Sequence, residues 1–421
     1  MRTVETINAI IMALFFLCYS YQFVYLAIGL FAKPKKTEAV APHRRIAVLI
    51  AARNEEAVIG QLLDSVRAQN YPSELLDAYV VADNCTDATA VIARAHGAEV
   101  FARQDTRHVG KGYALQFLLD RIRERRHYDA YLVLDADNIL DPNFVREITA
   151  VHDQGYGVVT CYRNSKNYGD NWISAGYALW FLREARYLNG ARMAAGSSCA
   201  VSGTGFLFSD EVLRKCGGWH FFLLTEDIEF TIDNVVRDVK IGYARNAVLY
   251  DEQPTLFRQS WRQRMRWSKG YLQVFGKYGG KLIRGILRGS FSCYDMAMNI
   301  MPAAILTGAS AVINLGAAVY AFAGGGSLPA LGLSVLQTLG SLYLTLFLLG
   351  AVTTVTEWRN IHCSTGKKIL YAFTFPLFML TYLPICAASL FARPEWKPIQ
   401  HRRSMTLDQI RATALPDSRS A

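Results

Sequence analysis

Three long stretches of the chain contain no charged residue. They run from Ile7 to Phe31, from Met296 to Thr356 and from Ile369 to Phe391. A helix needs about 20 apolar residues to cross a lipid bilayer, so the first and third stretches are each long enough for one crossing and the second for two. A glycine-rich break at 324–327 divides the second stretch near its middle. The pattern predicts membrane helices at both ends of the chain.

The first apolar stretch is predicted to be an uncleaved membrane anchor. A secretory signal peptide is the alternative, but the stretch is too long for one and no small-residue cleavage site closes it. Lys33, Lys35 and Lys36 follow it directly. Because Lys and Arg are retained on the cytoplasmic side of membrane proteins, we expect the N-terminus outside and residues 32–295 in the cytoplasm.

The C-terminal tail conflicts with a simple count of crossings. Four crossings would put residues 393–421 outside, yet this tail is basic. Its first four Lys or Arg residues are Arg393, Lys397, Arg402 and Arg403. Pro376 and Pro384 lie in the last apolar stretch and make it the best candidate for a re-entrant or interfacial segment.

The part of the chain between the apolar stretches alternates between two hydrophobic patterns. Short apolar runs such as "RIAVLIAAR" (Arg45–Arg53), "DAYVVAD" and "AYLVLDAD" predict buried strands. Helical patterns follow them, such as "KGYALQFLLDRIRERR". Strands that alternate with helices predict a parallel sheet covered on both faces, in which ligands bind beyond the carboxyl ends of the strands.

Composition narrows the class of protein. The net charge of +10 is explained by cytoplasmic retention of Lys and Arg, so nucleic acid is not an expected partner. The eight cysteines contain no C-x-x-C pair. They are typical of reduced thiols in a reducing compartment and exclude a disulfide-stabilised scaffold.

Polar residues follow two of the predicted strands. Asp135 and Asp137 in "LVLDADNILDP" could hold a hard divalent cation together with diphosphate oxygens, or they could belong to an ordinary strand-to-helix turn. Asp83 in "VVADNCTDAT" could accept hydrogen bonds from a nucleoside, or it could cap the next helix with Thr86.

Two further motifs carry charge at predicted helix starts. In "RHVGKGYAL", Arg107 and Lys111 flank a flexible turn that suits phosphate, and a plain loop with a solvated lysine is the alternative. In "LLTEDIEF", Thr225, Glu226 and Asp227 begin a helical pattern. A carboxylate here could take a proton from an attacking hydroxyl, or it could only complement the helix N-terminus.

The segment "FRQSWRQRMRWSKG" combines five cations with two tryptophans. Gln263, Arg266 and Trp267 have the i, i+3, i+4 spacing that shares one helix face. Arg suits bidentate contacts to phosphate, and a tryptophan face can stack on a sugar. A basic amphipathic helix on anionic lipid is the alternative.

Together these motifs, in this order and ahead of apolar helices, resemble the membrane-embedded inverting glycosyltransferases of family 2. That family includes cellulose, chitin, hyaluronan and poly-N-acetylglucosamine synthases, and the resemblance covers roughly residues 44–270. It implies an α/β GT-A fold, Rossmann-like, in a cytoplasmic domain joined to transmembrane α-helices. The expected organisation is a membrane anchor and linker (1–43), a GT-A domain (44–270), an interfacial amphipathic segment (271–295), about three transmembrane helices (296–392) and a basic tail (393–421).

The resemblance also implies roles for individual residues. Asp83, Arg107, Lys111 and Asp135 would bind UDP, and Asp135 and Asp137 would hold Mg²⁺ or Mn²⁺. Asp227, next to Glu226, would be the general base. Thr225, Gln263, Arg266 and Trp267 would contact the diphosphate and the acceptor. A weaker match lies in Gly203-Thr204-Gly205, which would lie beside the acceptor.

The function that the resemblance implies is inverting transfer from a UDP-sugar, UDP-glucose or UDP-N-acetylglucosamine, to a growing β-linked polysaccharide at the plasma membrane. An accessory export protein could complete the pore. Transfer of a single sugar to a lipid, as in ceramide glucosyltransferases, is the alternative. A third hypothesis is non-enzymatic: a transporter whose α/β domain only senses UDP-sugar.

Overall fold

The structure, a computed structural model, describes residues 2–32, 43–320, 322–323, 328–392, 401 and 403–413. Its strands are β1 (Ile46–Ala52), β2 (Leu76–Asp83), β3 (Glu99–Arg103), β4 (Ala130–Asp135), β5 (Ile139–Leu140), β6 (Val158–Ser165), β7 (Phe206–Ser209) and β8 (Ile241–Asp251). Its helices are α1 (Arg2–Tyr19), α2 (Tyr21–Phe31), α3 (Ile59–Arg67), α4 (Thr89–Ala95), α5 (Lys111–Arg123), α6 (Phe144–His152), α7 (Trp172–Arg183), α8 (Gly190–Ala195), α9 (Asp210–Cys216), α10 (Glu226–Val236), α11 (Phe257–Leu287), α12 (Phe291–Ile300), α13 (Pro302–Tyr320), α14 (Leu328–Thr356), α15 (Thr365–Leu380), α16 (Tyr382–Phe391) and α17 (Leu407–Ala412). A 3₁₀ turn at Ser73–Leu75 precedes β2, and a π-helical turn at Glu184–Asn189 joins α7 to α8.

The α/β domain is built on one eight-stranded sheet with the order β3-β2-β1-β4-β7-β6-β8-β5. Strands β1 to β4 are parallel to one another, as their sequence pattern predicts. The sheet as a whole is mixed, because β7 runs antiparallel to β4 and β6, and β5 runs antiparallel to β8. Gly203 and Gly205, both with positive φ, turn the chain into β7 in the reversed direction. The predicted parallel sheet is therefore confirmed for β1 to β4, the strands whose sequence patterns led to the prediction.

Both faces of the sheet are buried, which explains why its strands are almost continuously apolar. Along β1, Ala47 and Leu49 pack into one core with α5 and α10. Ile46, Val48 and Ile50 point to the opposite face and pack with α3 and α6. The two cores fix the register of the strands and therefore the relative positions of the side chains at their ends.

The expected boundary at residue 270 lies inside a helix. Helix α11 is continuous for 31 residues, from Phe257 to Leu287. Val274, Tyr278 and Leu282, at spacings of four, are buried in the core of the α/β domain. The segment 271–295 is thus amphipathic, as predicted, but its apolar face packs on protein.

Some of the described apolar helices are long enough to cross a membrane. By length and composition, two of the described helices can cross a membrane, Val335–Thr356 and Thr365–Phe391, and the pair α1–α2, bent by 41°, could add a third. The α15–α16 run is held along the α/β domain near both ends. Lys367 Nζ donates to Gly169 O at 2.6 Å, and Lys269 Nζ donates to Leu390 O at 3.2 Å. The run is nevertheless long and apolar enough for one crossing, so the prediction that the last apolar stretch is the irregular one is not confirmed. Among the described helices, the bent pair is α1–α2.

The described part of the C-terminal tail returns to the α/β domain. Ile410 on α17 is buried against Ile139 and Tyr250. Arg411 forms an ion pair with Asp141 at 2.8 Å. The tail therefore lies on the same side as the α/β domain, which corrects the placement that four crossings would require. Helix α17 also covers β5, an edge strand whose backbone would otherwise be open to pairing.

A buried ion pair joins the N-terminal helices to the α/β domain. The guanidinium of Arg192 donates to Asp295 through Nε at 2.7 Å and Nη2 at 2.9 Å, and both side chains are almost fully buried. The hydroxyls of Tyr21 and Tyr25 donate to the two oxygens of Asp295, each at 2.8 Å. One carboxylate thus connects α2, α8 and α12.

We expect Asp295→Asn to reduce the free energy of unfolding by about 3–5 kcal/mol, because it leaves a buried guanidinium without its counter-charge. Denaturant unfolding in detergent micelles measures the change. Glu211→Gln, which breaks the exposed Lys215–Glu211 pair, is the control and should leave stability unchanged. An unaltered midpoint for Asp295→Asn would contradict the role given to this pair.

Candidate active site

The carboxyl ends of three parallel strands lie side by side. Asp135 at the end of β4 is in register with Ala51 of β1, and Ala52 is in register with Ala82 of β2. Asp83, the last residue of β2, therefore lies at the same edge of the sheet as Asp135. The predicted gathering of acidic side chains beyond these strands is present.

A cavity of about 510 Å³ opens at this edge. Its wall includes ten of the eleven side chains predicted from the sequence. They are Asp83, Lys111, Asp135, Asp137, Thr225, Glu226, Asp227, Gln263, Arg266 and Trp267. The fold therefore brings together residues that are separated by up to 184 positions in the sequence.

Arg107 is the predicted site residue that does not line the cavity. The carboxylate of Asp105 accepts hydrogen bonds from the backbone N–H groups of Arg107 and His108, at 2.8 and 3.0 Å, and the Arg107 side chain is left exposed. Arg103 takes the position beside Asp83 instead. The two are in register at the ends of β3 and β2, and Nη1 of Arg103 donates to Asp83 at 2.6 Å.

Lys111 connects two parts of the cavity wall. Its ammonium contacts the carboxylate of Asp135 and donates to Gly203 O at 2.8 Å. The next residue, Gly112, packs so closely on the backbone that a Cβ there would come within 2.0 Å of Phe221 O. The Gly-Lys-Gly sequence therefore serves close packing at the start of α5 and presents the lysine to the cavity.

Asp137 is an almost fully buried residue of the cavity wall. Its carboxylate accepts a hydrogen bond from the backbone N–H of Glu252 at 2.7 Å. Burial raises the pKa of Asp137, but the positive charges of His401 and Lys166, with the Glu252 amide, outweigh it and hold the pKa below its usual value. The side chain is therefore ionised at neutral pH.

The donor set of Asp135 and Asp137 fits a divalent cation whose remaining ligands come from a diphosphate and water. Carboxylate oxygens are the ligands that Mg²⁺ and Mn²⁺ prefer, and Mg²⁺ is usually bound by one or two carboxylates plus substrate phosphates. Within the described residues, no cluster of three or more His, Cys, Asp or Glu side chains could hold a metal by itself.

Glu226 and Asp227 begin α10 and are half-buried in the cavity wall. The backbone N–H of Gly203 donates to Asp227 at 2.6 Å. Desolvation, together with the charge of Asp227, raises the pKa of Glu226 to about 7. Desolvation also raises the pKa of Asp227, although the amides of Ile228 and Gly203 oppose the effect. The pair can hold a proton near neutral pH.

The Gln263, Arg266 and Trp267 side chains share one face of α11, as their spacing predicts. Nη1 of Arg266 donates to Leu224 O at 3.0 Å. The Trp267 and Tyr177 rings pack edge to face, with their centroids 5.8 Å apart. The Oε1 atom of Gln263 is buried and accepts no hydrogen bond from the described residues. A buried polar atom without a partner inside a cavity is expected where a ligand supplies the missing hydrogen bond.

Arg264 belongs to the same helix but does not line the cavity. The sequence interpretation allowed it to face lipid headgroups, but it is fully buried. It donates to Phe378 O at 3.1 Å and to the Thr381 hydroxyl at 2.7 Å. Within the basic segment, Arg266 therefore faces the cavity, and Arg264 anchors the junction of α15 and α16.

Sequence reasoning missed several residues that line the cavity. Among them are Glu55, Arg163, Arg183, Glu184, Asp251 and His401. Arg163 and Asp251 form a buried ion pair at the ends of β6 and β8. Their positions at strand ends could have identified them, but β6 and β8 were not predicted. His401, which binds Glu55 at 3.0 Å, comes from the distant tail and carries no local signal.

The sequence matches the family described as "Glycosyltransferase like family 2" over residues 42–270, which is more than half of the chain. The chain belongs to this family of glycosyltransferases, and its fold is the GT-A fold that the resemblance implied. The matched region ends inside α11, just after the Gln-Arg-Trp motif.

Two kinds of curated relatives are similar to this region. A β-monoglucosyldiacylglycerol synthase of Synechocystis sp. is 24% identical over 242 residues, which is 57% of this chain and 50% of the relative. A poly-β-1,6-N-acetyl-D-glucosamine synthase of Staphylococcus aureus is 26% identical over 236 residues, 54% of this chain and 55% of the relative. The alignments thus span about half of the length of these relatives.

A solved structure agrees with the fold over most of the chain. A mannosyltransferase from Pyrobaculum calidifontis, in complex with GDP-Man and Mn²⁺, superposes with a TM-score of 0.57 and 18% identity. The match covers 91% of this chain and 98% of that one. The shared architecture therefore extends beyond the α/β domain.

The acid limb of kcat/KM for glycosyl transfer should report the Glu226–Asp227 pair, with activity rising as pH increases through about 7. Glu226→Gln removes the carboxyl group whose pKa is raised to about 7 and leaves Asp227 as the titrating group of the pair, so the limb should move toward acid. Rate measurements between about pH 5 and pH 9 test this. A limb that does not move in Glu226→Gln would contradict the coupling of the two carboxylates.

Proposed function

We propose that this chain transfers a sugar, with inversion, from a UDP-sugar to the hydroxyl of a lipid acceptor at the membrane surface. The observation that carries the proposal is the extent of the cavity. The same space that is lined by the acidic strand ends is also lined by residues of the apolar helices at both ends of the chain. A donor from the cytoplasm and an acceptor from the bilayer could meet there.

The donor end of the cavity fits a nucleoside diphosphate. Asp83, fixed by Arg103, offers a carboxylate to a nucleoside, and Lys111 and Arg266 offer cations to a diphosphate. As the diphosphate leaves, negative charge develops on its oxygens, and fixed cations stabilise that charge. This assignment follows the family resemblance, except that we add Arg103 and leave out Arg107.

Asp227 is the proposed general base. Inversion requires the acceptor hydroxyl to attack from the side opposite the leaving group, so a base must face the acceptor. Asp227 is held by the Gly203 amide, and burial raises its pKa above the usual value, which makes it a stronger base. Its charge in turn raises the pKa of the neighbouring Glu226.

Asp135 and Asp137 are the residues that would hold Mg²⁺ or Mn²⁺. Such a cation would stabilise the charge of the leaving diphosphate. The protein itself orients Asp135 through Lys111 and through hydrogen bonds from its backbone N–H to Asn138 and Thr204, at 3.0 and 2.9 Å.

The acceptor end of the cavity adjoins the apolar helices and mixes apolar with polar side chains. Its wall is formed by side chains from the N-terminal pair, α12, α15 and α16. They include Tyr19, Gln22, Asn299, Ile300, Met379, Tyr382, Leu383 and Cys386. A lipid whose headgroup carries the hydroxyl could enter from the bilayer beside these helices. The similarity to β-monoglucosyldiacylglycerol synthases supports a lipid acceptor.

A growing β-linked polysaccharide is the second candidate acceptor. The Trp267 ring is fixed edge-on against Tyr177 and lines the cavity. A fixed aromatic ring is a typical platform for a sugar, and the similarity to poly-β-1,6-N-acetyl-D-glucosamine synthases supports this candidate. Export of a polymer would bring in an accessory protein.

For either acceptor we propose a multi-pass protein of the plasma membrane with its catalytic domain in the cytoplasm. The apolar helices, the lysines after the first of them and the scattered free cysteines support this location.

We expect Asp227→Asn to lower kcat for transfer by about 10²–10⁴-fold, the contribution of a positioned general base, and to leave UDP binding intact. Asp238→Asn, the same substitution at an exposed position just after α10, should retain full activity. Titration calorimetry with UDP and single-turnover kinetics measure the two effects. An Asp227→Asn variant with full turnover would exclude Asp227 as the base.

Mass spectrometry of the products, with a panel of UDP-sugars, distinguishes the two acceptors. Membranes that contain a lipid with a free hydroxyl should yield that lipid with one added sugar, and the product should partition into organic solvent. A ladder of water-soluble oligosaccharides would instead support the polysaccharide acceptor.

A further inference from the structure

Arg183 is a buried cation in the cavity wall, and it forms no ion pair with any described residue. It is the last residue of α7, and 8% of its surface is exposed. Within the described residues it has one hydrogen bond, from Nη2 to Oε1 of Gln22 at 2.6 Å, and no carboxylate lies within 4 Å. Its Nε is buried with no acceptor. Burying a guanidinium in this environment costs free energy unless an anion balances its charge.

The charge of Glu184 raises the pKa of Arg183, but among the described residues no acidic group forms an ion pair with Arg183. The carboxylate of Glu184, the next residue, accepts a hydrogen bond from the Ser202 hydroxyl at 3.3 Å. Asp295 is bound to Arg192, whose own positive charge faces Arg183 from α8. Burial lowers the pKa of Arg183 to about 10, so the side chain remains charged at neutral pH.

Arg183 lies beside an aromatic ring and close to the bend between two apolar helices, where a lipid headgroup could bind. Its guanidinium lies over the Trp180 ring at 5.0 Å, and Trp180, Gln22 and Tyr19 line the same part of the cavity. Tyr19 and Gln22 flank the 41° bend between α1 and α2. On the outer side of these helices, large apolar side chains such as Phe16, Leu17 and Phe23 are exposed. Acyl chains along this surface would bring a headgroup to the bend.

We propose that Arg183 and Gln22 form a subsite for a phosphate group carried by a lipid, so that the acceptor is a phosphate-bearing lipid. The inference rests on the proposed function, because it names the class of acceptor for the same cavity. The guanidinium offers a planar set of donors that matches two phosphate oxygens, and the Gln22 amide offers a further donor. The subsite is separate from the donor end, where Lys111 and Arg266 face the nucleotide.

The test compares two lipids that differ only in the phosphate. The full chain in neutral phosphatidylcholine nanodiscs is titrated with dioleoyl phosphatidic acid and with dioleoylglycerol, and retained lipid is measured by native mass spectrometry. The wild-type chain should bind phosphatidic acid about tenfold or more tightly than dioleoylglycerol, as expected for a charge-assisted bidentate contact. Arg183→Gln should abolish the preference, and Arg183→Lys, which keeps the charge but loses the planar fork, should retain part of it.

Controls separate the subsite from general attraction of anions. Arg284→Gln removes a cation from the exposed end of α11 and should keep the preference. UDP affinity should be equal in wild type and Arg183→Gln. Equal binding of the two lipids by the wild type, a preference that survives in Arg183→Gln, or a loss of UDP affinity instead of lipid affinity would each overturn the proposal. Displacement of phosphatidic acid by equimolar inorganic phosphate would overturn the assignment to a lipid.

The outcome for the subsite is distinct from that for the proposed function. Binding that depends on Arg183 without any glycosylated lipid would support the subsite and refute the lipid acceptor. Glycosylation of dioleoylglycerol at an equal rate by wild type and Arg183→Gln, without a phosphate preference, would refute the subsite alone.

Discussion

The buried pair between Arg192 and Asp295 joins the membrane-facing helices to the α/β domain, and the site depends on that junction. Asp295 also accepts hydrogen bonds from Tyr21 and Tyr25, so one carboxylate fixes α2 and α12 against α8. Tyr19, Gln22, Asn299 and Ile300, which lie on or beside these helices, form one wall of the cavity. Loss of either partner would leave a buried charge without compensation and would strongly destabilise the fold. The two side chains are therefore expected to stay in close contact.

Electrostatic pairing within the cavity separates structural carboxylates from a reactive one. Asp83 is bound to Arg103, Asp135 to Lys111 and Asp251 to Arg163. The paired cations fix these carboxylates in place, where they can orient a diphosphate or a cation. No described cation lies within ion-pair distance of Glu226 or Asp227, and their pKa values are raised. In the proposed mechanism, the same wall would provide fixed carboxylates at the donor end and a proton acceptor, Asp227, between donor and acceptor.

The sequence predicts the parts of this site that depend on local pattern. The strands β1 to β4, the start of α10 and the shared face of Gln263, Arg266 and Trp267 follow from periodicity and helix-start signals, and the structure has each of them. Arg107 was assigned to UDP from its motif alone, whereas the Asp105 turn directs it outward. Arg183 and His401 were missed because their positions depend on long-range packing, of α7 against α2 and of the tail against Glu55. No local pattern encodes such contacts.

The central claim is that donor and acceptor meet at Asp227 within one cavity. The most direct measurement is an electron cryomicroscopy structure of the full chain in nanodiscs with a non-hydrolysable UDP-sugar analogue, Mn²⁺ and an acceptor lipid. The account predicts nucleotide density beside Asp83 and Lys111, a sugar facing the Asp227 carboxylate, and a lipid headgroup between α2 and α7. Nucleotide density at another site, or a lipid separated from Asp227 by a closed protein wall, would contradict it.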